Sequence, residues 1–204
     1  MDLEVTIPWL LVATPQLKDP NFHKTILVMA EHDRSGSMGL IVNRPSEIPL
    51  SDLISTTLDI PKAVPAWVGG PLETTTGFIL HNQLSIQEGA SAKNKEEIIL
   101  STSPEALTQL VDDAGRRLDK IAKIKITDNI YDEPQLYSFR FLAGHAAWIP
   151  GQLENEIGSG SWLQIPMNLD LLFNTPWHKM WDEAINSMGF APQDLVPTNQ
   201  SFLN

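Results

Sequence analysis

Apolar and polar positions along this chain fall into short segments with two different periods. Thr25-Ile26-Leu27-Val28-Met29-Ala30 is a continuous apolar run, as in a strand buried on both faces. Asp33-Arg34-Ser35-Gly36-Ser37 then supplies turn residues, and Met38-Gly39-Leu40-Ile41-Val42 begins a second run, so the pattern predicts a β-hairpin. Upstream, Val5 to Val12 reads as a strand, and Pro8 inside it marks an edge position. Helical spacing of Leu50, Leu53, Ile54 and Leu58 predicts a helix beginning near Pro49 or Ser51. Ala66-Trp67-Val68, Thr76 to His81 and Ile98-Ile99-Leu100 read as further strands.

Ser103-Pro104-Glu105 has the chemistry of a helix start: a capping hydroxyl, a proline in the first turn and an acid favoured by the dipole. Leu107, Leu110, Val111 and Ala114 line one face of that helix, and Gly115 is the expected stop. Ile121 to Ile126 alternates apolar and basic residues and predicts a strand, Asp128 to Pro134 a loop, and Leu136 to Ala143 another strand. Pro150-Gly151 opens a short helix with Leu153 and Ile157 inward, closed by Gly158-Ser159-Gly160 ahead of a strand at Trp162 to Ile165. Asn174-Thr175-Pro176 starts the last helix, with Trp177, Met180, Trp181, Ala184, Ile185 and Met188 on its apolar face and Gly189 as its stop. No linker, repeat or low-complexity segment divides the chain, so one α/β domain over residues 1–204 with a mixed, largely antiparallel sheet is expected.

Composition narrows the chemistry. The 204 residues are 42% hydrophobic and 19% charged, the profile of a chain able to bury a full core. The absence of cysteine removes disulfides, thiolate metal sites and thiol nucleophiles, and fits a reducing compartment. Met1-Asp2-Leu3-Glu4 is acidic where a secretory signal needs positive charge, and Ile7 to Ala13 is too short for a membrane span, so a cytoplasmic protein without a membrane partner is expected. A net charge of −11 repels phosphate backbones, and the basic stretch Arg116, Arg117, Lys120, Lys123, Lys125 is diluted by Asp112, Asp113 and Asp119. That stretch reads as a solvated helix end and exposed strand face, and no direct nucleic-acid partner is expected.

Three polar clusters, each just past an apolar run, are the places where chemistry could gather: Asn43-Arg44-Pro45, Gly69-Gly70-Pro71, and Gly144-His145-Ala146-Ala147-Trp148 continuing to Gln152-Leu153-Glu154. Arg44, held by the following proline, offers a planar donor fork for carboxylate or phosphate; the plainer reading pairs it with an internal acid, Glu73 or Glu154. Gly69 and Gly70 could expose backbone N–H groups to an anion, or simply make a tight turn. Of the six tryptophans, Trp148 is the candidate to line a pocket, while Trp67, Trp162, Trp177 and Trp181 read as core. His23, His32, His81 and His145 fall near strand ends, but no pair has a diagnostic ligand spacing, and neither a metal nor a cofactor is expected. Phosphate loops, dinucleotide fingerprints, nucleophile elbows and His-Glu-x-x-His pairs are all missing, which assigns no catalytic residue.

These clusters resemble the YqgE/AlgH family of bacterial proteins in order and spacing over nearly the whole chain. The resemblance rests on Leu11-Val12-Ala13-Thr14-Pro15, Asp19-Pro20-Asn21-Phe22, Glu31-His32 and Gly39-Leu40-Ile41-Val42-Asn43-Arg44-Pro45. It continues in Gly69-Gly70-Pro71, Gly77-Phe78-Ile79-Leu80-His81, Gly151-Gln152-Leu153-Glu154-Asn155-Glu156-Ile157 and Trp162-Leu163. It implies a sheet curled into a partial barrel with helices packed outside. The chain departs from the family in having His145 and Ala147 where Gly-Tyr-Ala-Gly-Trp is usual, and in a longer stretch from Arg116 to Pro134. The resemblance brings no established activity, although some members carry the label of transcriptional regulator.

The expectation is therefore a non-enzymatic regulator that binds a small anionic ligand or a protein partner through Asn43, Arg44, Gly69, Gly70, His81, His145, Trp148, Gln152 and Glu154. Two alternatives stand beside it: a hydrolase using His81 or His145 with Glu154 as acid and base, and a transcriptional regulator acting through DNA. Convergence of Arg44, His81, His145 and Glu154 in one concave pocket would favour ligand binding or catalysis.

Overall fold

The structure is a computed structural model, and it describes residues 9–54, 59–61, 64–82, 98–121 and 138–189. Its strands are β1 (Trp9–Ala13), β2 (Ile26–Asp33), β3 (Gly36–Ile41), β4 (Ala66–Val68), β5 (Leu72–His81), β6 (Ile99–Ser101), β7 (Phe139–Trp148) and β8 (Trp162–Pro166). The helices among the described residues are α1 (Leu50–Leu53), α2 (Pro104–Ile121), α3 (Gln152–Gly158), α4 (Leu169–Phe173) and α5 (Trp177–Ser187).

The strands form one eight-stranded sheet in the order β6-β5-β7-β3-β2-β1-β8, with β4 paired in parallel to β7 and every other pair antiparallel. The β2–β3 hairpin closes as its turn residues predict, with Asp33 opposite Gly36 and a bulge at Ala30. The strand β7 is the spine. Its first half lies between β4 and β5, and its second half pairs with β3. Gly144, at φ 76°, joins the halves, so β7 bends there, and the sheet stays open with helices packed on both of its faces.

Three apolar clusters fill the two faces. Leu10, Val28, Leu40 and Leu142 pack beneath α4 and α5, where Leu172, Met180 and Ile185 are fully buried. On the opposite face, Ile79, Phe139 and Phe141 pack against Leu107, Leu110 and Val111 of α2. Leu11, Leu27, Ile41 and Trp148 form the third cluster with Leu153 of α3.

Several elements differ from the sequence pattern for identifiable reasons. Among the described residues the first strand covers Trp9–Ala13 and is no edge, because β8 pairs along its outer side; the expected strand's residues 5–8, Pro8 included, lie outside the described residues. Gly115 does not stop α2, which runs on to Ile121; a glycine inside a helix costs only about 1 kcal/mol relative to alanine, less than the packed face supplies. Ile121 is therefore helical, and the strand and loop expected over 122–134 lie outside the described residues. The cluster beginning at Gly144 is not a loop after β7 but the second half of β7 itself. The helix α1 spans only Leu50–Leu53, with 55–58 outside the described residues, and α4 is an element the pattern did not reveal.

Candidate functional site

The Asn43-Arg44 cluster is built by backbone needs first. Lys24 adopts a left-handed φ of 52°, which turns the chain into β2 and leaves its carbonyl facing the end of β3. Asn43, nearly buried, answers both strands: its Nδ2 donates to the Lys24 carbonyl at 2.9 Å and its Oδ1 accepts from the Ile26 N–H at 2.8 Å. The next residue, Arg44, donates from Nη1 to the Asn21 carbonyl at 2.7 Å, while its own carbonyl accepts from the Val68 N–H. It forms no ion pair with Glu73 or Glu154; among the described residues its charge has no carboxylate partner.

Between this loop and the start of α5 lies a cavity of about 250 Å³, lined by His23, Lys24 and Arg44 on one side and Trp177, Trp181 and Asp182 on the other. Lys24 Nζ stands 4.0 Å from Asp182 Oδ1 and 4.8 Å from the ring centre of Trp181. The Trp181 indole is itself fixed, its Nε1 donating to the Ala13 carbonyl at 2.7 Å. Trp177 Nε1 is buried and has no hydrogen-bond partner among the described residues. Burial lowers the Arg44 pKa from its ordinary value, although a guanidinium remains charged at neutral pH. With Lys24 and Arg44 set against Asp182, the fixed charges lining the cavity keep a positive balance on an otherwise acidic chain.

Gly69 and Gly70 have another purpose. The Gly69 N–H donates to the Ala143 carbonyl and the Gly69 carbonyl accepts from Ile41 N–H, each at 2.7 Å, so the segment is threaded between β3 and β7. A Cβ at Gly70 would lie 2.1 Å from the His145 carbonyl carbon, and one at Gly69 only 2.2 Å from the Gly144 oxygen. Neither glycine takes the left-handed φ that an anion nest uses; close backbone approach is what requires them. His145 faces the ring of Phe78 edge-on at 6.0 Å, and its Nδ1 is buried without a partner among the described residues.

Trp148 and Gln152 meet at a residue the sequence reading passed over. Glu156 Oε2 accepts from Trp148 Nε1 at 2.9 Å and Trp162 Nε1 at 2.7 Å, while Oε1 accepts from Gln152 Nε2 at 2.8 Å. Trp148 is thus a core residue clamped to α3 rather than a free pocket wall. Glu154 is exposed on α3, and the histidine it faces is His32, at 3.9 Å. His81 is 1% exposed and opposite Phe139, six residues from His145 along β7, or about 20 Å at the rise of a strand. Burial pushes its pKa down to about 4.

The expected residues therefore divide. Asn43 and Arg44 reach the cavity; Gly69, Gly70 and His145 form the backbone crossing; Trp148 and Gln152 serve Glu156; Glu154 and His81 stand apart from one another. The cavity residues missed in sequence, Trp177 and Trp181, looked like core because core and cavity wall share the same helical spacing. Among the described residues no group of three metal-ligating side chains occurs, and no helix is long and apolar enough to cross a membrane.

A profile of the AlgH-like family matches residues 10–193, including all of the cavity and the glycine crossing. The chain belongs to the AlgH-like family. It is 35% identical to a UPF0301 protein of Myxococcus xanthus, over 93% of this chain and 94% of that one, and 33% identical to a UPF0301 protein of Vibrio cholerae, over 91% and 92%. The solution structure of the AlgH protein from Pseudomonas aeruginosa superposes with a TM-score of 0.61 at 26% identity, over 92% of this chain and 91% of that chain. A crystal structure from Corynebacterium diphtheriae, 20% identical, shares the fold with a TM-score of 0.62 over 92% and 89%.

Proposed function

We propose that this AlgH-like protein is a non-enzymatic cytoplasmic regulator that binds a small anion in the cavity between the Lys24–Arg44 loops and α5. The observation that carries the reading is Arg44: a partly buried guanidinium without a carboxylate partner among the described residues, beside a cavity of about 250 Å³. A desolvated cation of this kind is stabilised by an anion far more than an exposed one would be. Two features of α5 support it. Pro176 supplies no side-chain cap and the first turn holds no acid, so the positive end of the helix dipole is uncompensated near the cavity. The net charge of −11 argues against a duplex-DNA partner, whose phosphates the protein's field would repel.

The hydrolase reading finds its acid–base pair in another place than expected. Glu154 faces His32, and His32 Nδ1 lies 2.8 Å from Ser37 Oγ, a row that has the elements of a triad. Ser37 is 8% exposed and paired opposite Trp148 in the sheet, which denies a substrate carbonyl the approach such a nucleophile needs. A thermal-shift screen against a library of metabolite anions tests the binding reading, because a ligand for the folded state raises its stability. Stabilisation by at least one anion, abolished in Arg44→Ala, is expected. If no anion stabilises the protein, or if Arg44→Ala responds as the parent does, the cavity is not the site.

A further inference from the structure

The cavity also constrains what kind of anion it can hold. We infer that its ligand is a small monocarboxylate with a flat, apolar body, an aromatic carboxylate being the class that fits; this rests on the binding reading above. Charge comes first. Lys24 and Asp182 stand 4.0 Å apart and offset each other, so of the fixed charges lining the cavity Arg44 is left as a single positive charge. One net charge matches a monoanion. The two charges of a phosphate monoester would leave one uncompensated in a partly desolvated space.

Geometry of the donors points the same way. Arg44 Nη1 is already committed to the Asn21 carbonyl, and no other hydrogen bond of this side chain is found among the described residues. The remaining edge of the guanidinium presents two parallel N–H donors, which match the two coplanar oxygens of a carboxylate.

The walls and the volume set the rest of the ligand. Trp177 and Trp181 contribute indole surface, and Trp181 cannot swing aside because its Nε1 is bound to the Ala13 carbonyl. Fixed aromatic walls favour a flat apolar partner, which they can cover without ordering cost. About 250 Å³ lies below the usual range of ligand pockets, so a single ring with its acid group fits while a nucleotide does not.

Benzoate, inorganic phosphate and benzyl alcohol separate these statements when each is titrated into the intact protein, with melting temperature and tryptophan fluorescence as readouts. Saturable stabilisation and a fluorescence change with benzoate alone are expected. Arg44→Lys should weaken benzoate at least about tenfold, since the ammonium keeps the charge and loses the fork. Trp177→Leu should weaken it several-fold, since it removes one of the two aromatic walls. Binding of phosphate but not benzoate would keep the anion site and overturn the carboxylate class. Equal binding of benzyl alcohol would show that apolar packing alone is recognised, which also overturns it. Benzoate binding that neither substitution changes would overturn the placement. Failure of all three probes, together with failure of every anion in the metabolite screen, would overturn the binding reading itself.

Discussion

The guanidinium of Arg140 lies 4.0 Å from the ring centre of Trp67, deep in the core beneath α4 and α5, and no carboxylate accompanies it among the described residues. Its Nε donates to the Leu172 carbonyl at 3.1 Å, its Nη2 rests 3.8 Å from Met180 Sδ, and its Nη1 has no hydrogen-bond partner among the described residues. Burial lowers its pKa to about 9, so at neutral pH the folded chain holds a charge that its surroundings disfavour. The cation over the indole face and the bond to the end of α4 offset part of that cost.

Arg140→Met should consequently be the milder of two substitutions. Methionine fills much of the space and removes the penalised charge, so a change within about 2 kcal/mol of the parent, in either direction, is expected. Both substitutions strip the Leu172 carbonyl of its donor, but Arg140→Ala also leaves a hole, at a cost of about 3–5 kcal/mol. Urea unfolding at pH 7 measures both. If methionine proved as damaging as alanine, the charge itself would be what holds the α4–α5 layer down.

His81 predicts a pH dependence with a definite sign. Burial lowers its pKa from 6.5 to about 4, so between those values the unfolded chain binds the proton and the folded chain does not. Stability contributed by this residue is therefore complete above about 6.5, falls as the pH drops toward 4, and falls no further below that. The full loss is at most about 3 kcal/mol. His81→Gln cannot titrate, and its unfolding free energy should fall less than the parent's between pH 7 and pH 4.5. Parallel pH profiles for parent and variant would mean that His81 is protonated equally easily in both states.

Glu156 ties α3 to two strands through a single carboxylate. One oxygen takes both indole N–H donors and the other takes Gln152, so every contact is a charge-assisted hydrogen bond. Glu156→Gln must turn an NH₂ group either toward the two indoles or toward the Gln152 amide, and a loss of about 1–3 kcal/mol is expected. Glu156→Ala leaves both indole donors unpaired and should cost more. Chemical denaturation gives the free energies, and a red shift of tryptophan emission reports the loosened indoles.

Local patterns carried those parts of the fold whose cause is local. The β2–β3 hairpin was legible because an apolar run, a glycine turn and a second run are adjacent. The start of α2 was legible because Ser103 caps it: its Oγ accepts from the Ala106 N–H at 3.3 Å. The bend in β7 was not, since Gly144 looks like the end of a strand until Gly70 and Leu72 are brought against it. The candidate site was legible by half. Arg44 after an apolar strand was a sound signal, but the cavity's other wall comes from α5, more than a hundred residues later, where Trp177 and Trp181 follow the same spacing as Met180 and Ile185. Arg140 sat unnoticed between phenylalanines because nothing local says that α4 will cover it.

The glycine crossing yields the sharpest prediction. A methyl group at position 70 would sit 2.1 Å from the His145 carbonyl carbon, 2.2 Å from its oxygen and 2.5 Å from the Ala146 nitrogen. All three are backbone atoms of the spine strand, so no side-chain rotation relieves the clash; β4 and β7 would have to part. Gly70→Ala should destabilise by more than about 4 kcal/mol or prevent folding. Gly115→Ala is the matched control: the same methyl group at position 115 meets nothing within 4 Å inside α2, where alanine should stabilise by about 0.5–1 kcal/mol. Melting temperatures of the two variants beside the parent decide the matter. A Gly70→Ala protein that melts with the parent would mean that the two backbones do not approach as closely as described, and the crossing would lose its role in setting the bend.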